Sequence, residues 1–260
     1  MEDKKFEDKA PESIPSELEL FENFHPEGAA FLDRAQKIAQ ATVEYKELRM
    51  MYACALKEIK TKFDVLNSEF NIRYQRNPIS SISTRLKSTY STIEKLHKKG
   101  KNFTLDDIKT HIHDVAGVRV VCSYIDDIYR VAEAFTKQDD ITLLEEKDYI
   151  KNPKPNGYRS LHLIVSIPVF FEQQKEYLKA EVQIRTIAMD FWASLEHQIK
   201  YKKEIPDQDD VIKKLKSCAD TISETDLTMM NIRKQLENAS DVSKDDELYK
   251  KLRHLDDPIF

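Results

Sequence analysis

Residues 117–124 (GVRVVCSY) constrain the fold most, because they form a run of β-branched and apolar residues of strand length. Such a run is typical of a strand buried inside a sheet. Further strand candidates lie at 141–148, 158–168 and 177–185, separated by the turn-rich KNPKPNG and the polar FEQQKE. We therefore expect a sheet of about four or five strands in the middle of the chain.

Helical patterns surround this predicted sheet. Apolar residues recur at intervals of three and four from about residue 31 to residue 70, which indicates a long helix. After Asn77-Pro78 the same period resumes through Ile79, Ile82 and Leu86 and stops at Gly100, which predicts a second helix. Residues 125–137, 186–202 and 208–237 also have helical periodicity. Helices on both sides of a mixed sheet predict an α+β fold.

The ends of the chain differ in charge from its centre. Residues 1–27 carry three Lys against nine Asp or Glu, contain three prolines, and lack a sustained period. They predict an acidic flexible leader, which we extend to residue 30. We expect the catalytic domain at 31–203, and a C-terminal helix with an acidic tail at 204–260.

The composition favours a soluble cytoplasmic protein without a membrane segment. No apolar run in the sequence approaches the ~18 residues of a membrane span, and the start MEDKKFEDKA resembles neither a signal nor a transit peptide. Cys54, Cys122 and Cys218 lie too far apart for zinc-ligand spacing or a paired framework. Free thiols in a reducing compartment are the simple interpretation.

Glycine content limits how the chain can bind phosphates. Its four glycines are all isolated, whereas a phosphate-binding glycine loop needs several close together. If the chain binds nucleotides, charged side chains and a metal must therefore hold the phosphates. Residues 73–103 carry eight Lys or Arg and one acid, and STRLKS places Arg85, Lys87 and Ser88 together. A solvated helix face is the alternative interpretation for Lys95, Lys98 and Lys99.

The segment HIHDVAGVRVVC places Asp114 before a hydrophobic strand and Arg119 inside it. A carboxylate at a strand entrance suits Mg²⁺, and an Arg in an apolar strand needs a partner, either a ligand or a structural ion pair. His111 and His113 beside Asp114 also suggest a His-Asp metal hydrolase. That site needs further ligands, and His162 and His197 do not obviously supply them.

Two predicted strands carry chemically equipped faces. In KAEVQIRT, Glu181, Gln183 and Arg185 occupy alternate positions and therefore project from one face. A plain amphipathic strand would give the same alternation. In PNGYRSLH, the same period places Tyr158 and His162, with Ser160 between them, on one face. Tyr offers a flat surface for a base and His a phosphate or proton contact, although simple aromatic packing is the alternative.

Together, HDVAGVRVVC, KPNGYRSLH, EVQIRT and DFWASLEH resemble the synthetase domain of the RelA/SpoT-type alarmone enzymes over residues 40–203. The chain lacks the hydrolase and regulatory domains of the long members, so it resembles a small alarmone synthetase. The segments HIHDVAGVRVVCSY and DYIKNPKPNGYRSLH are similar to those of the RelP-like branch. The resemblance implies a nucleotidyltransferase-like fold with a mixed five-stranded sheet and helical extensions at both ends.

The resemblance also implies an activity: transfer of the β,γ-pyrophosphate of ATP to the 3′-hydroxyl of GDP or GTP, giving AMP and (p)ppGpp. Asp114 and Glu181 would hold Mg²⁺, and Glu181 would accept the hydroxyl proton. Arg85 and Arg119 would stack on the adenine of ATP. Lys87 and Ser88 would lie near its phosphates. The implied acceptor residues are Lys154, Tyr158, His162, Gln183 and Arg185, and the helix with Trp192, Glu196 and His197 would close the pocket.

Small alarmone synthetases are generally homotetramers, so the resemblance implies this assembly too. RelQ-like members are stimulated by their product through an aromatic residue four positions before the first adenine Arg and an Asn on the closing helix. Ser81 and Asp190 occupy those places here, so we do not expect product stimulation. The other functions considered are a non-catalytic nucleotide- or RNA-binding module and a polymerase-like nucleotidyl transferase. RNA binding is not indicated by the motifs.

Overall fold

The computed structural model describes residues 26–201 and 208–240. The chain divides after Leu48 into two units, of which the second begins at Arg49 and contains the sheet. The helices are α1 (Pro26–Tyr74), α2 (Thr89–Lys98), α3 (Leu105–His111), α4 (Ile125–Thr136), α5 (Ile187–Tyr201) and α6 (Gln208–Ser240). The strands are β1 (Ile79–Leu86), β2 (Ala116–Cys122), β3 (Thr142–Asp148), β4 (Leu161–Phe170) and β5 (Lys175–Thr186).

The five strands form one mixed sheet in the order β1-β2-β5-β4-β3. The neighbours β2 and β5 are parallel, and the other pairs are antiparallel. This confirms the α+β fold and the mixed five-stranded sheet. Among the described helices, none combines the length and the hydrophobicity that a membrane span requires.

One face of the sheet is apolar and the other is polar, because strand residues alternate between the faces. Val118, Val182 and Leu163 lie opposite one another on adjacent strands and are all buried. Helix α4 buries its own apolar residues, and its Phe135 stacks on Phe63 of α1 with ring centroids 4.4 Å apart. The opposite face carries the polar residues of β2 and β5, and it positions the site described below.

The prediction of a helix from residue 79 onward was wrong, because residues 79–86 form strand β1, antiparallel to β2. Arg85 therefore lies on a strand. The strand is at the sheet edge and its side chains are mostly exposed. The spacing of its isoleucines therefore does not mark the buried face of a helix. Helix α2 starts only at Thr89, where the Ser88 hydroxyl accepts a hydrogen bond from the Ser91 amide at 3.2 Å.

Two other predicted boundaries also change. Strand β4 begins at Leu161, so Tyr158 precedes the strand that was expected to contain it. Gly157, with φ of +88°, turns the chain there, and the Asn156 side chain accepts from the Tyr158 amide at 3.2 Å. Helix α1 begins at Pro26, within the last residues of the predicted leader. The rest of that leader and the tail beyond residue 240 lie outside the described residues.

Candidate functional site

A cleft of ≈ 670 Å³ lies over the polar face of the sheet, a volume in the range of sites for nucleotide-sized ligands. Residues of β1, β2, β5 and α5 line it, together with Tyr158. The lining includes Arg85, Asp114, Arg119, Tyr158, Glu181, Gln183, Arg185, Glu196 and His197. The structure therefore brings most of the sequence-predicted site residues into one place.

Strand register explains this convergence. Gly117 lies opposite Arg85 on β1 and opposite Glu181 on β5. In the next row on the same face, Arg119 lies opposite Gln183. Because Gly117 has no side chain, the space over the sheet between Arg85 and Glu181 stays open. The alternation predicted for Glu181, Gln183 and Arg185 is observed.

The carboxylate of Asp114 is held by two lysines at the entrance of β2. Its Oδ2 lies 3.0 Å from Nζ of Lys87, and its Oδ1 lies 2.8 Å from Nζ of Lys95. Burial raises the pKa of Asp114, but the hydrogen bonds and charges of Lys95 and Lys87 outweigh it, and the net pKa lies below its ordinary value. Asp114 is therefore an anion at neutral pH.

The Glu181 carboxylate is bonded on both oxygens. Its Oε1 lies 3.1 Å from Nδ1 of His162, and its Oε2 accepts from the Gln183 amide nitrogen at 3.0 Å. Burial raises the pKa of Glu181, but the hydrogen bonds from His162 and Gln183 lower it by a larger amount. The net pKa lies below the ordinary value, so Glu181 is ionised and available as a proton acceptor.

The His162 ring connects this carboxylate to Tyr158. Nε2 of His162 lies 2.8 Å from the Tyr158 oxygen, and that oxygen accepts from Nη2 of Arg185 at 2.7 Å. A His162 ring protonated on Nδ1 donates to Glu181 and accepts from the phenol. Burial raises the pKa of Tyr158 more than the nearby charge of Arg185 lowers it, so the phenol keeps its proton.

The predicted ATP residues occupy different environments. Nη1 of Arg119 lies 3.3 Å from Oδ1 of Asp190 on α5, so the ion pair left open by the sequence is present. Arg119 nevertheless keeps 42% of its side chain exposed and lines the cleft. Lys87 contacts Asp114, which lines the cleft. Ser88 caps α2, and its hydroxyl also donates to the Ser91 hydroxyl at 2.9 Å.

Two of the predicted acceptor residues, Lys154 and Tyr158, lie together beside the Tyr149 ring. Nζ of Lys154 lies 4.9 Å from the centroid of the Tyr158 ring, and 4.6 Å from that of Tyr149. On α5, Glu196 accepts from the Asn156 side chain at 3.0 Å, which links the turn before Tyr158 to the helix predicted to close the pocket. Trp192 lies behind Tyr158 in a buried cluster, and His197 lines the cleft.

Sequence reasoning missed two contributors, Lys95 and Asp190. The sequence left a solvated helix face as the alternative interpretation for Lys95, and the structure pairs it with Asp114. Asp190 was noted only as a departure, whereas it accepts from Arg185 at 3.1 Å and pairs with Arg119. Only the fold brings these residues to their partners, so no local sequence signal could have identified the contacts.

Two carboxylates facing one cleft fit a divalent cation. Asp114 and Glu181 are near enough that the charge of Asp114 raises the pKa of Glu181. In the described part of the chain, no group of three or more His, Cys, Asp or Glu forms a fuller metal cage. Mg²⁺ commonly takes one or two carboxylates and completes its shell with water and phosphate oxygens. The donor set therefore suits a metal shared with a phosphorylated ligand.

The mixed sheet and the cleft lined by carboxylates and arginines define the class of this protein. It is an α+β protein with a mixed five-stranded sheet and a cleft whose side chains suit phosphorylated ligands. Residues 84–206 match the region found in RelA and SpoT proteins. GTP pyrophosphokinase YwaC from Bacillus subtilis is 45% identical over 196 residues, which cover 75% of this chain and 92% of YwaC.

Solved structures agree with this match. The crystal structure of small alarmone synthetase 2 from Bacillus subtilis has a TM-score of 0.67 at 45% identity, covering 74% of this chain and 99% of the other. That of small alarmone synthetase 1 from Bacillus subtilis bound to its product pppGpp has a TM-score of 0.68 at 32% identity, covering 75% and 98%. The chain belongs to the RelA/SpoT family and, within it, to the small alarmone synthetases.

Proposed function

We propose that this protein is a GTP pyrophosphokinase that transfers the β,γ-pyrophosphate of ATP to the 3′-hydroxyl of GDP or GTP. The observation that carries the proposal is the pair of ionised carboxylates, Asp114 and Glu181, in one cleft with Arg and Tyr side chains. Lys87 and Lys95 pair with Asp114 beside it. The names of the similar Bacillus subtilis proteins support it. A binding module would not need two ionised carboxylates in one cleft.

The chemical step is an in-line displacement at the β-phosphorus of ATP. The 3′-oxygen of the acceptor forms a bond to that phosphorus, the bond to the α,β-bridging oxygen breaks, and AMP leaves. Glu181 takes the hydroxyl proton, and His162 and Gln183 hold its carboxylate in place. Asp114 and Glu181 would hold Mg²⁺, which when bound neutralises charge on the transferred phosphates.

The basic residues supply positioning and further neutralisation. Lys87 and Lys95 pair with Asp114, which supports a role of their ammonium groups in binding the ATP phosphates beside the metal. We propose adenine stacking for Arg85 and Arg119, and a phosphate-side position for Ser88. On the acceptor side we propose guanine stacking for Tyr158. The remaining proposed acceptor contacts are Lys154, His162, Gln183 and Arg185.

The wider expectations stay proposals. We propose residues 31–203 as the synthetase domain, with 1–30 as a leader and 204–260 as an extension, in a cytoplasmic enzyme. The RelP-like branch stays a prediction. We also propose a homotetramer. Exposed apolar residues every four positions along α5 support contact between copies of the chain, and light scattering measures the number of subunits. These residues are Ile187, Phe191, Leu195 and Ile199.

The test of the proposed function is AMP release from ATP and Mg²⁺ in the presence of GDP, GTP or GMP. We expect AMP to form only when a guanine nucleotide acceptor is present, and to match the 3′-pyrophosphorylated product in amount. The three acceptors in parallel also rank the substrates. Binding of nucleotides without any AMP release would favour the non-catalytic module.

Arg85→Lys and Arg119→Lys test the adenine positions, because lysine keeps the charge but loses the planar surface. We expect each variant to bind a non-hydrolysable ATP analogue more weakly by about 0.5–2 kcal/mol, with acceptor binding nearly unchanged. Calorimetry measures both affinities. Arg130→Lys is a matched control, since Arg130 lies over the Tyr74 ring outside the cleft. Wild-type ATP affinity in both test variants would place the adenine elsewhere.

Tyr158→Phe and Tyr158→Ala separate stacking from hydrogen bonding. If the ring stacks on guanine, Phe keeps most acceptor affinity, whereas Ala loses about 1–3 kcal/mol. The phenol also joins Arg185 to His162, so we expect Phe to lower kcat more than it weakens acceptor binding. Calorimetry with GDP and steady-state kinetics give the two quantities. Equal losses of GDP affinity in both variants, or normal GDP binding by the Ala variant, would remove Tyr158 from a stacking role.

A further inference from the structure

Helix α6 contacts the segment that carries Tyr158 through the next residue, Arg159. Nη1 of Arg159 donates to the carbonyl oxygens of Gly157 at 3.2 Å and of Ala219 at 3.1 Å. Nη2 donates to Oδ1 of Asp220 at 3.2 Å. The Arg159 side chain is only 16% exposed. The guanidinium is largely buried and donates hydrogen bonds in several directions. It therefore fixes the position of the Tyr158 segment against α6.

Gly157 brings the backbone of this segment into direct contact with the same helix. Its φ is +88°, a conformation that residues with a side chain rarely adopt. A Cβ added to Gly157 would lie 2.5 Å from Cβ of Ala219 and 3.3 Å from Cα of Lys216. Close approach to α6 and the backbone conformation therefore both require glycine here.

The Tyr158 ring itself packs against residues of α5 and α6. Trp192 and Ala193 of α5 form a buried cluster with Ala219 of α6, and Tyr158 lies against that cluster. The indole nitrogen of Trp192 donates to the carbonyl oxygen of Leu215 on α6 at 3.0 Å. Both the backbone and the ring of Tyr158 thus depend on contacts to α6.

We propose that α6 is a positioning element of the acceptor site, which fixes the orientation of the Tyr158 ring through Gly157, Arg159 and Trp192. This inference rests on the proposed function, in which the acceptor base stacks on Tyr158. Helix α6 lies beyond residues 84–206, which match the RelA and SpoT region, and the sequence placed it outside the catalytic domain. Arg85 and Arg119 lie on β1 and β2, so displacing the Tyr158 segment weakens acceptor use and spares ATP use.

The primary test compares Gly157→Ala with Gly100→Ala. Gly100 also has a positive φ, +64°, but nothing lies within 4 Å of an added Cβ, so it controls for backbone strain alone. We expect Gly157→Ala to raise the KM for GDP by at least about tenfold, because small misplacements of a binding group have large effects. The KM for ATP stays within about twofold. Adding Ala219→Gly to Gly157→Ala removes the closest contact and recovers part of the loss.

A second variant, Arg159→Met, removes the three hydrogen bonds and retains an unbranched apolar stem. If Gly157→Ala does not fold, Arg159→Met tests whether the acceptor site depends on α6. The chain has a single tryptophan, Trp192, so its fluorescence reports directly on the contact between Tyr158 and α6. We expect Arg159→Met to shift Trp192 emission and to raise the KM for GDP, while Gly100→Ala changes neither.

A GDP KM within twofold of wild type in both Gly157→Ala and Arg159→Met would overturn the inference, and so would equal rises in the KM for ATP and GDP. Failure of the proposed function is distinguishable, since the wild-type protein would then release no AMP with any guanine nucleotide. In that case a Trp192 emission spectrum unchanged in both variants refutes the dependence of the Tyr158 segment on α6. A shifted spectrum supports that dependence.

Discussion

Glu181→Gln loses turnover by at least about a thousandfold, because it removes both the proton acceptor and a metal-site charge. The glutamine side chain keeps the size of glutamate and one acceptor oxygen for His162 or Gln183, so we expect the fold to survive. AMP release with GDP gives the activity, and thermal unfolding checks the fold. Glu176→Gln, near the start of the same strand, is the matched control and should retain wild-type activity.

The alternative for Glu181 is a purely structural role. Its burial and its hydrogen bonds would then explain its presence on β5, and the Gln variant would alter stability without a selective loss of turnover. Activity within tenfold of wild type in a folded Glu181→Gln protein would contradict the proposed step.

Asp114→Asn should also lower turnover by at least about a thousandfold. In this variant we also expect Mg²⁺ no longer to change the affinity for ATP. In the wild type, Lys87 and Lys95 are paired with Asp114. In the variant their charges are no longer neutralised, so metal-free ATP should bind at least as well as it does to the wild type. Calorimetry with an ATP analogue, with and without Mg²⁺, measures this difference.

Asp106→Asn is the control for Asp114, because Asp106 is an exposed carboxylate in the first turn of α3. It should bind ATP and respond to Mg²⁺ like the wild type. An Asp114→Asn protein whose ATP affinity still rises with Mg²⁺ as in the wild type would remove Asp114 from the metal site. Turnover within tenfold of wild type would have the same meaning.

The central strands could be predicted from sequence because their buried positions are occupied by apolar residues in a recognisable pattern. In β2, and in β5 from Leu178 onward, the apolar positions pack into the core, and the alternate positions of β5 carry Glu181, Gln183 and Arg185. The same logic placed Asp114 at the entrance of β2, where it is found. These assignments depend on local period and composition, which a sequence displays directly.

Strand β1 and the Tyr158 turn could not be predicted in the same way. The side chains of β1 are mostly exposed, so its strand conformation comes from pairing with β2, a non-local interaction that leaves little trace in local hydrophobicity. At Tyr158, the turn residues Asn156 and Gly157 outweigh the period of the adjoining strand.

The ion pairs of Lys95 and Asp190 required the fold for another reason. Lys95 of α2 pairs with Asp114 beyond α3, and Asp190 of α5 pairs with Arg119 of β2, so the choice between a solvated charge and a site charge is made only when these elements pack. The contacts of α6 with Gly157 and Arg159 follow the same rule. A resemblance restricted to the motif segments does not include such contacts.

The measurement that tests the central claim most directly follows the β-phosphorus of ATP. The wild-type protein is incubated with Mg²⁺, GDP and ATP labelled at the β-phosphate, and the products are separated. We expect unlabelled AMP and an equal amount of guanosine nucleotide carrying the label as a pyrophosphate on its 3′-oxygen. Label recovered as free pyrophosphate with the adenylyl group on the acceptor, or no label in any guanosine product, would contradict it.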